Sequence, residues 1–159
     1  MERNVMQLNI VGFTKKQKAE LAEAASFFAN ILMDPRTVRN LTIDIEHTPK
    51  NESQGECVDE DGVRNPRYFT INIRSAKDDD DIIQTLAHEM VHVKQHAKNE
   101  LKTGVVVATR GGLKISSKWM GKIWKPKGKE DHYYDSPWEV EAYGREVGLY
   151  QRWLTRHEK

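Results

Sequence analysis

Cysteine is almost missing from this 159-residue chain. The only one is Cys57, which rules out an internal disulfide and a cysteine-built zinc ribbon. A metal, if held, needs other ligands. No apolar run approaches the roughly 20 residues that span a bilayer. The start, Met-Glu-Arg-Asn-Val-Met-Gln-Leu, lacks the basic and apolar stretches of a secretory signal, so the expected location is the cytoplasm, with no membrane partner. Charge of one sign is lacking too. Lys and Arg total 25 against 24 Asp and Glu, a net of +1, which gives no long-range pull toward nucleic acid or anionic lipid. Repeats, low-complexity linkers, a nucleotide loop, a lipid anchor and a serine-type triad are all missing. The length and a hydrophobic fraction of 38% suit one domain, residues 1–159, with one modest core.

What is present alternates between helical and extended patterns. Leu21, Ala24, Ala25, Phe28, Ile31 and Leu32 recur at helical spacing between Thr14, a capping residue, and Asp34-Pro35, a stop. Leu41, Ile43 and Ile45 alternate as a half-buried strand. Residues 48–66 carry Pro49, Gly55, Gly62 and Pro66 and read as a long loop. Phe69, Ile71 and Ile73 mark a strand over 67–74. Asp78 to Asp81 suit a helix start, where carboxylates meet free amides and the positive end of the dipole. They do not have the spacing of a calcium loop. The helix that follows, about 80–99, has an apolar stripe of Ile82, Ile83, Leu86, Met90, Val93 and Ala97. Val105 to Val107, a turn at Arg110-Gly111-Gly112, and Leu113 with Ile115 suggest a hairpin. Lys125 to Lys129 read as a basic loop. A last helix starts at Pro137 after Ser136 and reaches Leu154. The fold class is α+β, a small antiparallel or mixed sheet against helices.

His88-Glu89-Met90-Val91-His92 fits the pattern His-Glu-x-x-His within that stripe-bearing helix. Side chains four apart lie one above the other, so both imidazoles reach one ion, on a face apart from the apolar stripe. Glu89 points elsewhere and serves as general base: zinc acidifies water, and a carboxylate beside it takes the proton. Catalytic zinc usually takes three protein ligands. His96 lies one turn beyond His92, but its Cα is about 12 Å along the axis from that of His88, which suits an exposed or supporting role better. Glu139 and Glu141, near the start of the last helix, are the other candidates, and periodicity does not choose between them. His132, Tyr133 and Tyr134 precede that helix and offer either an oxyanion donor or aromatic packing.

The pair His88-Glu89-Met90-Val91-His92 and Glu139-Val140-Glu141-Ala142 resembles the gluzincin metallopeptidases, particularly compact, phage-type single-domain ones. There the second motif is Glu-x-x-Ala and its glutamate is the third zinc ligand. The resemblance implies a zincin-like fold with an active-site helix, one Zn2+ per chain held by His88, His92 and Glu139, and Glu141 as a supporting group or exchanged ligand. It implies hydrolysis of a protein or peptide substrate, in the host cytoplasm for a phage-encoded chain. It also implies that the strand at 67–74 forms the cleft rim and offers an exposed edge to an extended substrate. Tyr143 departs from relatives that carry a polar residue there to support a zinc-bound histidine, and Glu141 is the substitute. Residues His88 to His96 also resemble the SprT-like proteases, without their later histidine or zinc ribbon. Two rival readings stand beside peptidase activity. One is a noncatalytic or toxin-like binding module on the same scaffold. The other is nucleic-acid association through Lys114, Lys118, Lys122, Lys125, Lys127 and Lys129 with Trp119 and Trp124, for which a solvated lysine face over packed tryptophans is the preferred account. Cys57 as a reversible thiol ligand from the long loop is a further, disfavoured possibility.

Overall fold

A computed structural model describes residues 5–48, 55–74, 78–125 and 133–158. Strand β1 (Gln7–Val11) leads into helix α1 (Lys15–Leu32). The Thr14 hydroxyl accepts from the Gln17 amide at 3.1 Å, and the Gln17 side chain accepts from the Thr14 amide at 2.9 Å. This reciprocal cap satisfies two of the amides that a helix start leaves open. Asp34-Pro35 ends α1 as expected but at once starts a second, short helix, α2 (Pro35–Arg39), in which Asp34 caps the Thr37 amide at 3.2 Å. Proline at a first helical position breaks one helix and starts another for the same reason: it has no amide hydrogen to offer.

Strands β2 (Thr42–His47) and β4 (Tyr68–Ile73) follow the expected alternation, with Ile43, Ile45, Phe69, Ile71 and Ile73 fully buried on one face. β1 pairs parallel with β2, and β2 parallel with β4. The supposed long loop at 48–66 contains a strand, β3 (Gly55–Asp59), antiparallel to β4 with Cys57 opposite Ile71. The sheet order is β1-β2-β4-β3. The expectation that 67–74 supplies an exposed edge is therefore corrected: β4 is an interior strand, and the edges are β1 and β3. Gly-Glu-Cys-Val-Asp has few β formers, so pairing with β4 creates this strand rather than local preference.

Helix α3 (Asp79–Ala97) is capped by Asp78, which accepts from the Asp81 amide at 2.9 Å, and has Asp79, Asp80 and Asp81 in its first turn. It touches α1, α4, β3, β4 and β5, and every residue from Leu86 to Ala97 is buried. The apolar stripe rests on the core with Phe28, Phe69 and Ile71, while the opposite face is covered by polymer rather than water. Strands β5 (Leu101–Thr109), β6 (Gly112–Trp119) and β7 (Lys122–Ile123) form a separate antiparallel sheet. The hairpin turn at Arg110-Gly111 is where the sequence places it, though both strands are longer than expected. Gly104, at φ +69, lies within a register shift between Lys102 and Val105, the positive φ that glycine tolerates at a bulge.

Helix α4 (Pro137–Leu154) has the expected bounds and packs along α3. Its far end is fixed by Trp153, whose ring lies 5.7 Å from Phe27 and 6.2 Å from Phe28 on α1. No helix among the described residues is long and apolar enough to cross a membrane.

The start of β3 meets α3 closely. A Cβ on Gly55 would lie 2.7 Å from Glu89 Oε2 and 2.7 Å from Thr85 Cγ2. Gly55→Ala is expected to destabilise the protein by about 1–3 kcal/mol through overpacking, read from urea unfolding. An unchanged midpoint would show that the strand end yields freely.

Candidate metal centre

His88 and His92 rise from successive turns of α3, and Glu139 descends from the first turn of α4, where a carboxylate also suits the helix dipole. His88 Nε2 is 3.0 Å from Glu139 Oε1, and His92 Nε2 is 3.1 Å from Oε2. One ligand atom from each of the three lies within 4.8 Å of the others, and all three residues are buried. Of the two candidate glutamates, the structure brings Glu139 to the histidines.

The other ring nitrogens have partners that decide their protonation. Gln95 Nε2 donates to Glu141 Oε1 at 2.8 Å and to the Trp138 carbonyl at 2.9 Å. These two acceptors orient the amide, so Gln95 Oε1, 2.7 Å from His92 Nδ1, must accept. His88 Nδ1 lies 3.3 Å from Glu146 Oε1, another acceptor, and Glu146 is itself held by Gln84 at 3.1 Å. With hydrogen held on both Nδ1 atoms, Nε2 is the nitrogen each ring can offer a cation once it gives up its proton to Glu139, the tautomer that metal ligation requires. The residues therefore fit a single divalent cation. Two imidazoles and one carboxylate match the donors and number found in catalytic zinc sites.

Electrostatics agree with that geometry. Burial disfavours the charged form of His88, but hydrogen bonds to Glu139 and Glu146 and the charge of Glu89 outweigh it and lift its pKa to about 9. Burial opposes the His92 charge too, yet Glu139 and Glu89 raise its pKa. Burial alone would raise Glu139, but the two histidines bring it down to about 2. In the metal-free protein, protons thus occupy the place where a cation fits.

Glu89 is 4% exposed. Burial raises its pKa to about 7 against the opposing charges of His92 and His88, a value suited to taking and returning protons near neutrality. Cys57, on the strand that crosses α3, has its thiol pushed well up by burial and by Glu89, Asp59 and Glu56. A thiol held protonated does not suit the ligand role, which needs the thiolate.

The remaining candidates fall into different places. His96 is buried rather than exposed, and it is not in the metal group. Its ring tilts against Phe69 at 6.0 Å, and burial drops its pKa to about 4, leaving a neutral core histidine with a backbone bond to Leu101. Glu141 accepts from Lys94 at 2.6 Å and from Arg145 at 3.0 Å, and it reaches His92 only through Gln95. The Tyr133 hydroxyl bonds to Glu139, and burial first, then the Glu139 charge, raises its pKa. Tyr134 is exposed and packs between Tyr133, at 5.2 Å, and Tyr143, at 5.5 Å. His132 lies outside the described residues, as do Lys127 and Lys129. Tyr143 does not leave a gap: its ring packs edge-on against His88 at 4.4 Å. Trp119 and Trp124 both lean on Trp138, at 6.2 and 5.0 Å.

The sequence reading missed Glu146 and Gln95. Their signals are spacing alone: Glu146 is two helical turns after Glu139, and Gln95 is one turn after His92. Comparison with protein-family models, with curated proteins and with solved structures gave no match.

Two outcomes follow from these contacts. Glu146→Gln removes the charged acceptor behind His88 and is expected to weaken zinc binding about 10–100-fold, measured by competition with a chromophoric chelator. The raised histidine pKa values also have a sign. Their stabilisation of the metal-free fold is complete below the ordinary histidine range and fades as pH rises through about 9. Zinc competes with those protons, so its affinity should climb between about pH 6 and about pH 9, with protons released on binding. Calorimetry in buffers of different ionisation enthalpy measures that release. Uptake without proton release would mean the imidazoles are already neutral.

Proposed function

We propose that this protein is a zinc-dependent peptidase of the gluzincin type. The observation that carries the reading is the convergence of His88, His92 and Glu139 within 4.8 Å, with the buried Glu89 carboxyl between the two histidines in the chain. His88, His92 and Glu139 would hold the ion, and Gln95 and Glu146 hold the two rings in the ligating tautomer. A zinc ion in such a site acidifies water and polarises a carbonyl.

Glu89 supplies the proton traffic. Its carboxylate takes the proton from the attacking water and returns it to the departing amine. Burial keeps bulk water from competing for that proton. Tyr133 gives its one hydroxyl hydrogen to Glu139; turned from that carboxylate to a substrate carbonyl, the phenol is the candidate donor to a developing oxyanion. The substrate rim is reassigned from 67–74 to β3, a strand at the sheet edge, where an extended chain finds backbone partners.

One feature favours the noncatalytic reading, a binding module on the same scaffold. Gly55 lies so close to Glu89 that even a methyl group would collide with its carboxylate, which narrows the approach to the base. A single comparison decides between the two. Glu89→Gln is expected to keep about one zinc per chain and lower peptide turnover about 10²–10⁴-fold, measured with a quenched-fluorescence peptide library and metal analysis. Equal turnover in both proteins removes Glu89 from the mechanism. Zinc-loaded wild type that cleaves nothing in the library supports the binding module.

A further inference from the structure

A groove of about 630 Å³ lies between the β5–β6 hairpin and the turn that leads into α4. Its walls include Trp124 and Trp138, packed edge to face at 5.0 Å, with Ile115 from β6 and Tyr133 from the turn. Lys114 and Lys125, both exposed, bring positive charge, and among the described residues that line the groove none is acidic. Two residues that line the groove also adjoin the metal centre. Tyr133 bonds to Glu139, and Trp138 precedes Glu139 and carries the carbonyl that accepts from Gln95. An occupant would therefore lie beside the place where chemistry is proposed.

We infer that this groove selects the substrate: it takes an extended peptide segment that pairs acidic side chains with aromatic or large aliphatic ones. This rests on the peptidase reading for the word substrate, but the binding itself does not. The tryptophan walls and Ile115 offer apolar area for one set of side chains. Lys114 and Lys125 meet carboxylates, and a basic segment would find like charge at both of these lysines. Alternate residues of an extended chain point to opposite sides, so apolar and acidic positions taken in turn would present one set to the indoles and the other to the lysines. Single-stranded nucleic acid is the less suitable occupant. The indoles pack on each other edge-on or tilted rather than as parallel open faces, and base stacking uses such faces.

The test uses the Glu89→Gln protein, so that bound peptide is not consumed. Two capped, fluorescently labelled peptides of equal length, one alternating Glu with Leu and the other Lys with Leu, are titrated by anisotropy. The acidic peptide is expected to bind at least about tenfold tighter, with the preference shrinking as salt rises. The double variant Lys114→Glu, Lys125→Glu alters only exposed side chains and should reverse the preference. Equal binding of the two peptides, or a preference that survives the reversal, overturns the inference while leaving the metal centre untouched. A single-stranded oligonucleotide that displaces the acidic peptide at lower concentration than unlabelled peptide does would assign the groove to nucleic acid and overturn it as well. A wild-type protein that holds zinc, binds the acidic peptide and cleaves nothing would defeat the peptidase reading alone.

Discussion

Helix α3 runs through the middle of the molecule with water excluded from every side over its last three turns, and this single constraint organises much of what surrounds it. A buried helix that was apolar all round would be simple to accommodate. This one carries His88, Glu89, His92, Lys94, Gln95 and His96, and a buried polar group without a partner is costly. His88, His92, Lys94, Gln95 and His96 are each answered by a partner close by. Glu139 and Glu146 answer His88, Gln95 answers His92, Glu141 and Glu100 answer Lys94, and a backbone group at Leu101 answers His96. Three of those partners, Glu139, Glu141 and Glu146, lie on α4, so the register of α4 along α3 is set by charge and hydrogen bonding as much as by the aromatic contact of Trp153 with α1.

The same constraint explains why the centre needs more than its three converging residues. Lys94 and Arg145 hold Glu141, Glu141 holds the Gln95 amide, and Gln95 fixes the His92 ring. A rotation of Gln95 would leave the buried His92 Nδ1 without its acceptor. The chain of contacts thus limits the histidine rings to few orientations, and a site arranged before its ligand arrives loses less freedom on binding.

Much of this was legible before the coordinates. The bounds of α1 and α4, the stripe of α3, the alternation in β2 and β4, and the hairpin turn all follow from local signals: caps, periods of 3.6 or 2, and a glycine turn. His88, His92 and Glu139 were legible as a spacing and a resemblance. The misses share a cause. β3 has a turn-like composition and is a strand because β4 offers it partners, so nothing local announces it, and the resemblance alone places the edge at 67–74. β1, Gln7-Leu8-Asn9-Ile10-Val11, does alternate, but it is short and stands next to a chain end. His96 looked like a surface residue because its neighbours are Lys94, Gln95, Lys98 and Asn99; its burial comes from β4 and β5, which no helical wheel contains.

The centre joins two parts of the chain that are far apart in sequence, His88 and His92 on one side and Glu139 on the other. An ion that grips all three closes the intervening chain into a loop, and that loop contains the whole β5-β6-β7 sheet and the groove against it. Cross-linking of this kind removes conformations from the unfolded chain. The metal would then be a second fastener as well as a chemical agent, added to the hydrogen bonds from both histidines to Glu139 that hold the same two ends without it.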